Sequence, residues 1–179
     1  MHLLPPTIVF VSIMVSTLSY ASAHKLPQTH QGTYRFVGGT VEKQQLNKAI
    51  EIIAKKVNFF FRSRARKGLK KRFNIPQTLT LKQDKKGLFW VQRPGQSKQR
   101  KSSLNGTPLS FRTPKGKMAH LSRRYQADVI TEKVKISGKQ SGRTSYYRFS
   151  NQGKTMQLQV RIYIHRLKAT LKYKLTYRK

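Results

Sequence analysis

Two segments near the end of the chain, TMQLQVRIYI (155–164) and ATLKYKLTYR (169–178), alternate strictly between apolar and polar residues. A period of two predicts β-strands that bury one face and leave the other face in water. The connection between the two segments is short, which favours an antiparallel hairpin. This end of the chain therefore predicts an antiparallel sheet with one covered face.

The same period begins at Pro76, where Leu79 and Leu81 alternate with threonine and lysine. We expect about seven to nine strands between residues 76 and 179, with segment 98–103 the weakest. Helix-length segments do not recur between these strands, which excludes a parallel α/β sheet. The predicted fold class is mainly β (α+β): an up-and-down antiparallel meander that closes into a small barrel or half-barrel around one N-terminal amphipathic helix.

That helix is predicted at about residues 40–68, after an extended lead-in over residues 24–39. Thr40 is the expected N-cap and Gly68 the expected end of the helix. Apolar residues recur every three or four positions, as one face of a helix requires. They are Leu46, Ile50, Ile53, Val57 and Phe60.

The first 23 residues resemble a secretory signal peptide, because the apolar stretch 7–20 is followed by Ala21-Ser-Ala23. This stretch is short for a membrane span, which needs roughly 20 apolar residues. We expect cleavage to leave one domain, His24–Lys179, without a transmembrane span; an uncleaved anchor is the alternative. An exported chain without cysteine is typical of bacteria, because small secreted eukaryotic domains often carry disulfides, so the expected location is periplasmic or extracellular, in a bacterium.

The composition excludes most catalytic chemistry. No cysteine can act as a nucleophile or metal ligand, and only 5 Asp and Glu residues are present. The chain also lacks the G-x-S-x-G, H-E-x-x-H and P-loop motifs. A copper site built on an amino-terminal His24 is disfavoured because a net charge of +33 repels cations. We therefore expect no enzyme activity, cofactor or metal.

The charge itself predicts a surface that binds polyanions, since 38 Lys and Arg residues cannot be neutralised internally by so few acids. The densest run follows the helix and supplies the expected contact set: Arg62, Arg64, Arg66, Lys67, Lys70, Lys71 and Arg72. Further cationic groups are expected at Arg93, Lys98, Arg100 and Lys101, and at Arg112, Lys115, Lys117, Arg123 and Arg124.

Three consecutive phenylalanines, Phe59–Phe61, precede this cationic run. Beside a phosphate track they could stack on nucleic-acid bases, but the export signal makes nucleic acid an unlikely partner. A gate at a barrel mouth and a helix buried on two sides are the other interpretations, and we favour the second. Phe60, Tyr173 and Tyr177 are candidate cavity-lining residues, although such tyrosines more often place the hydroxyl at a wet rim.

Several motifs together resemble a group of uncharacterised exported bacterial proteins with lipocalin-like barrels. They are Gly32-Thr-Tyr34, Gly38-Gly39, Ala49-Ile-Glu51, the segment from Asn58 to Arg66, Tyr147 to Thr155, and Leu171 to Arg178. The resemblance spans most of the mature chain and implies a cavity for a small apolar ligand. It brings no functional residues with it.

Three functions follow as hypotheses. The first is a cationic binding protein that adheres to an anionic envelope component: anionic lipid, lipopolysaccharide or acidic polysaccharide. The alternative is a lipocalin-like carrier of a small apolar ligand inside the barrel. The third is a structural envelope protein without a discrete ligand.

Overall fold

One antiparallel sheet of nine strands dominates the computed structural model, which describes residues 25–95 and 99–179. The predicted signal segment, residues 1–23, lies outside the described residues. The strands are β1 (Gly32–Phe36), β2 (Thr78–Gln83), β3 (Phe89–Gln92), β4 (Leu109–Arg112), β5 (Met118–Gln126), β6 (Val129–Ile136), β7 (Gly142–Ser150), β8 (Thr155–Ile164) and β9 (Ala169–Arg178).

Strands that follow one another in sequence are neighbours in the sheet, except β3 and β4, which form its two edges. The sheet joins at β1, which pairs with β2 on one side and β9 on the other. Gly32 lies opposite Leu81, and Phe36 lies opposite Tyr177. The antiparallel meander is thus confirmed, but the predicted lead-in also contributes a strand.

A single segment crosses between the two edges. Ser102 and Phe89 exchange two backbone hydrogen bonds of 2.8 and 3.0 Å, and the Tyr125 N–H donates to the Leu104 carbonyl at 2.9 Å. Ser102 forms only an isolated bridge, so the expected strand at 98–103 is absent from its described part, residues 99–103. The sheet is therefore a curled half-barrel, and residues 99–104, which we call the strap, cross its open side.

The curl is visible in the main core, where inward side chains from both halves of the sheet pack together. Leu79 of β2 and Phe89 of β3 share a cluster with Ile130 of β6 and Tyr147 of β7, and all four are fully buried. Inward positions alternate with more exposed ones, so the strands supply the apolar face that the sequence predicts, except β4, in which no residue is buried.

The prediction of one continuous helix is wrong. The chain forms α1 (Gly39–Lys55), a 3-10 turn (Phe59–Phe61) and α2 (Arg62–Arg72). The break occurs because Asn58 has extended backbone angles and its side chain accepts a hydrogen bond from the Phe60 N–H at 3.2 Å. An asparagine side chain bonded in this way starts a new turn.

The predicted helix ends also differ. Helix α1 begins at Gly39 rather than after Thr40, and Gly68 lies within α2 instead of ending it. Neither described helix is long and apolar enough to cross a membrane.

Helix α1 covers one end of the half-barrel. Its buried Leu46, Ile50 and Ile53 pack against Ala169 and Leu171 at the start of β9. The first turn is fixed by Glu42, whose carboxylate accepts hydrogen bonds from the backbone N–H and the hydroxyl of Thr176 at 2.7 and 2.6 Å. We call α1, the Phe59–Phe61 turn and α2 the cap.

The opposite end, which we call the floor, is closed by the 3-10 turn Gln28–His30 and the turn between β7 and β8. The buried Tyr34 hydroxyl lies 3.1 Å from the His30 carbonyl and 2.8 Å from the Gly153 carbonyl. The His30 ring stacks on Phe149 with centroids 4.3 Å apart.

Candidate functional site

A layer of charged side chains crosses the interior between the floor and the cap. We call it the inner polar layer and define it as Arg93, Arg123, Glu132, Arg143, Ser145 and Tyr147. The sheet register brings its members together, since Arg123 on β5 pairs with Glu132 on β6, which pairs with Ser145 on β7. Tyr147 and Arg143 share the inward face of β7 with Ser145 because a strand repeats every two residues.

Glu132 is the centre of this layer and is 2 % exposed. One carboxylate oxygen accepts from Arg123 Nε at 2.8 Å, and the other accepts from an Arg143 terminal nitrogen at 2.6 Å. Burial alone would raise the pKa of Glu132, but the charges of Arg123, Arg143 and Arg93 outweigh it and hold this pKa at about 2. Glu132 is therefore a carboxylate at neutral pH.

Arg123 has a structural role besides its ion pair. One terminal nitrogen donates to the carbonyls of Phe89 and Arg100 at 3.2 and 2.9 Å, and it also donates to the Ser102 hydroxyl at 3.0 Å. These contacts hold the strap against β5. Arg123 is therefore saturated, and its guanidinium is occupied by the protein itself.

Arg143, Ser145 and Tyr147 have hydrogen-bonding groups that the protein does not fully use. Arg143 Nε and the Ser145 hydroxyl are buried without a hydrogen-bond partner among the described residues, whereas the Tyr147 hydroxyl interacts with the Arg93 guanidinium. Burial and then the charge of Glu132 raise the pKa of Tyr147, so its hydroxyl stays protonated. Unsatisfied buried donors are uncommon in native structures and call for an explanation.

The layer also carries an excess of positive charge, with three guanidinium groups facing the single carboxylate of Glu132. Above it, inward residues keep some accessible surface: Val134, Ile162 and Tyr173 are only half-buried, and the Arg143 side chain is 32 % exposed. The upper interior, between the layer and the cap, is thus lined by apolar side chains above a cationic base, and Ile162 and Tyr173 pack there against both core clusters.

The predicted polyanion contact set lies together on α2. Arg64, Lys67, Lys70, Lys71 and Arg72 are exposed, and Arg62 and Arg66 are half-buried. Arg66 pairs with Glu51 of α1 at 2.5 Å. No residue of α2 is fully buried, so this helix presents a cationic face to solvent.

The three aromatic candidates have different surroundings. Phe60 is 85 % exposed, so its assignment to a cavity is wrong, and Phe59 and Phe61, at 74 % and 58 % exposed, exclude a helix buried on two sides here. Tyr173 faces the upper interior, where burial raises its pKa. Tyr177 is fully buried, and its hydroxyl donates to the Pro76 carbonyl at 3.1 Å instead of facing a rim.

Sequence reasoning missed the inner polar layer, and it placed Arg93 and Arg123 in surface groups. The available signal was alternation: Arg123 stands between inward Leu121 and Tyr125, just as Glu132 follows inward Ile130. A charge at an apolar position on each of two adjacent strands indicates a buried ion pair. No group of three or more histidines or acids in the described residues has the geometry of a metal site.

No protein-family model matches the chain, and a comparison with curated protein sequences gives no match. Solved structures are similar in fold. Apo lipid binding protein 8 of Caenorhabditis elegans gives a TM-score of 0.53 at 12 % identity, over 88 % of this chain and 99 % of that one. The fatty-acid-binding protein of Schistosoma mansoni, in complex with arachidonic acid, gives a TM-score of 0.51 at 11 % identity, over 85 % of this chain and 96 % of that one.

Secretory abundant heat soluble protein 4 of Ramazzottius varieornatus gives a TM-score of 0.53 at 15 % identity, over 86 % of this chain and 96 % of that one. Identities this low concern the fold alone. They support the barrel resemblance, and we conclude that the chain has a fatty-acid-binding-protein and lipocalin-like β-barrel fold.

Proposed function

We propose that the protein binds an amphipathic anion inside the half-barrel and acts as a carrier rather than an enzyme. The observation that supports this most directly is the inner polar layer, where excess guanidinium charge and an unpartnered Arg143 nitrogen lie beneath half-buried apolar side chains. An anionic head group would pair with Arg143, Arg93 and the Tyr147 hydroxyl. Its tail would extend past Ile162 and Tyr173 toward the cap.

Two features define the ligand class. The unpartnered Nε of Arg143 and the Tyr147 hydroxyl beside Arg93 suit a carboxylate or a similar small oxyanion, which accepts several hydrogen bonds at once. The half-buried residues above the layer suit a flexible apolar chain. The lipid-binding neighbours, which share the fold, are consistent with this ligand class.

A fluorescent fatty acid, dansyl-undecanoic acid, tests the proposal. We expect saturable binding that weakens about 10- to 100-fold in Arg143→Gln, because a hydrogen bond to a charged group contributes about 1.5–3 kcal/mol. Arg161→Gln is the matched control, since Arg161 lies on the neighbouring strand β8 with its side chain exposed, and binding should not change.

Because Arg143→Gln also weakens the pair with Glu132, a second variant is needed. Tyr147→Phe removes one hydroxyl and keeps every charge of the inner polar layer, so the fold should persist while acid binding weakens. The uncharged analogue, dansyl-undecanol, should bind weakly to every variant. Equal binding of the acid and the alcohol would refute the anionic-head assignment.

A second candidate function, adhesion to an anionic envelope component, is supported by α2. Six of its seven cations have no carboxylate partner among the described residues, since only Arg66 forms an ion pair. Cations presented in this way attract anionic surfaces, with about 1 kcal/mol per Lys or Arg near an anionic membrane.

Sedimentation with vesicles of 70 % phosphatidylcholine and 30 % phosphatidylglycerol would measure this adhesion. The triple variant Arg64→Gln, Lys67→Gln, Lys71→Gln should bind roughly 100-fold more weakly at low salt. Its matched control removes the same charge from the outer wall: Lys133→Gln, Lys172→Gln, Lys174→Gln. Equal losses would mean that total charge, not α2, drives adhesion.

Export and a bacterial envelope location are also part of this proposal, because the signal-like residues 1–23 support them. The mass of the protein isolated from its own cells provides the test. A chain that begins at His24 would support export, and a full-length chain in the cytosolic fraction would contradict it.

A further inference from the structure

The tip of the cap exposes three large aromatic side chains in a row. Phe59, Phe60 and Phe61 are 74 %, 85 % and 58 % exposed. Phenylalanine is usually buried, and contiguous exposed apolar surface marks an interaction site. Neither the inner polar layer nor the cations of α2 account for these three rings.

The turn that carries these rings has a defined structure. The Asn58 side chain caps it, and Arg62 Nε donates to the Val57 carbonyl at 3.2 Å. The Arg62 guanidinium carbon lies 5.6 Å from the centre of the Phe59 ring, which packs edge-on against Phe60 at 6.0 Å. The rings are therefore held at the tip by local contacts.

Cations flank the tip on both sides. Lys55 and Lys56 precede it, Arg62 and Arg64 follow it, and no acidic residue stands between Glu51 and Asp84. A partner of this tip must offer an apolar phase immediately beneath a layer of negative charge. An anionic lipid bilayer has this arrangement, whereas a soluble acidic polysaccharide offers charge without an apolar phase.

We propose that Phe59–Phe61 inserts into the interfacial region of an anionic bilayer while the cations of α2 lie against its phosphates. This inference rests on the proposed adhesion and assigns its partner as a lipid bilayer.

A single-tryptophan reporter tests insertion directly. The chain has one tryptophan, Trp90, so the double variant Trp90→Phe, Phe60→Trp places the only indole at the tip. With the phosphatidylcholine–phosphatidylglycerol vesicles we expect a blue-shifted emission that lipids brominated near the top of the acyl chain quench. An unshifted, unquenched indole on sedimented vesicles would overturn the inference and leave electrostatic adhesion standing.

Side-chain truncation measures the apolar contribution. The triple variant Phe59→Ser, Phe60→Ser, Phe61→Ser should reduce vesicle partitioning by roughly 100-fold or more, since burying each ring contributes about 1 kcal/mol or more. The control is Tyr163→Ser, which removes an aromatic ring that is 39 % exposed on the outer wall. Full retention of binding in the triple variant would also overturn the inference.

Two further measurements separate this proposal from its alternatives. Binding of a heparin oligosaccharide should be unaffected by the Phe→Ser changes; binding of single-stranded DNA that falls with them would instead indicate base stacking and contradict the lipid assignment. Dansyl-undecanoic acid binding in solution should be unchanged, so a failed carrier function and a failed membrane insertion give different results.

Discussion

Arginines of the inner polar layer and arginines of α2 carry the same charge under opposite conditions. Arg123 is 5 % exposed and makes ordinary hydrogen bonds to four partners, Glu132 among them. On α2, Arg64 and Arg72 are exposed and no ion pair is described for either. A buried charge is stable only when the protein itself supplies its partners, whereas a solvated charge can remain unpaired and bind an anion on another molecule.

Removing the central carboxylate is the strongest way to test this comparison. Glu132→Gln leaves Arg123 and Arg143 buried without their counter-ion, so the free energy of unfolding should fall by about 3–5 kcal/mol. Glu51→Gln breaks the half-exposed pair with Arg66 and should leave stability almost unchanged. Urea unfolding of both variants decides the matter: losses of similar size would show that the two pairs are equivalent.

Glu132 should be protonated only at low pH, so its ion pairs with Arg123 and Arg143 should persist in mild acid. The pKa of Glu132 is about 2 in the folded chain against an ordinary value of 4.5, so the folded state binds its proton less readily than the unfolded state does. The contribution of Glu132 is therefore complete above pH 4.5 and is lost as the pH falls toward 2. It amounts to about 3 kcal/mol.

Chemical unfolding between pH 5 and pH 2 would show this loss. In Glu132→Gln the same range should give a shallower decline, because the titrating group is gone. A wild-type curve parallel to that of the variant would contradict the assignment.

Two glycines compare the packing of the floor, at Gly153, with that of the cap, at Gly68. Gly153 has a φ of +81°, and a β-carbon there would collide with the Thr29 carbonyl oxygen. Gly153→Ala should cost roughly 2 kcal/mol or more, because the backbone conformation and the contact are both unfavourable. Gly68, within α2, has open space around it, and Gly68→Ala should stabilise α2 by up to about 1 kcal/mol.

Thermal unfolding monitored at the β-sheet signal would report Gly153→Ala, and far-ultraviolet helicity would report Gly68→Ala. A neutral Gly153→Ala would mean that the floor is not tightly packed. A destabilising Gly68→Ala would mean that α2 packs more closely than its exposure indicates.

The sequence predicts those parts of the fold that rest on local pattern. Alternation at residues 155–178 identifies β8 and β9, and the spacing of Leu46, Ile50 and Ile53 identifies the buried face of α1. The helix break is not predictable from that spacing, because it depends on one side chain, Asn58, bonding its own backbone. The strand β1 is missed because its pairing with β9 is long-range.

The candidate site divides in the same way. The cations of α2 are contiguous in the sequence and are therefore found from it, whereas the inner polar layer combines residues of four separate segments. Only the register of β5, β6 and β7 brings Arg123, Glu132 and Ser145 into line. In a chain this rich in lysine and arginine, the sequence alone does not distinguish a buried arginine from the many exposed ones.

The pairing of β1 with both β2 and β9 has a consequence for synthesis. In this pairing Phe36 of β1 lies opposite Tyr177 of β9, and Arg35 lies opposite Arg178. Strand β1 is synthesised before the other strands but cannot complete its pairing until β9 has been made. Until β9 has emerged from the ribosome, β1 keeps one uncovered edge, and open edges recruit other chains. Such distant pairing is slow to form, so a newly made chain remains exposed to aggregation until β9 has paired with β1.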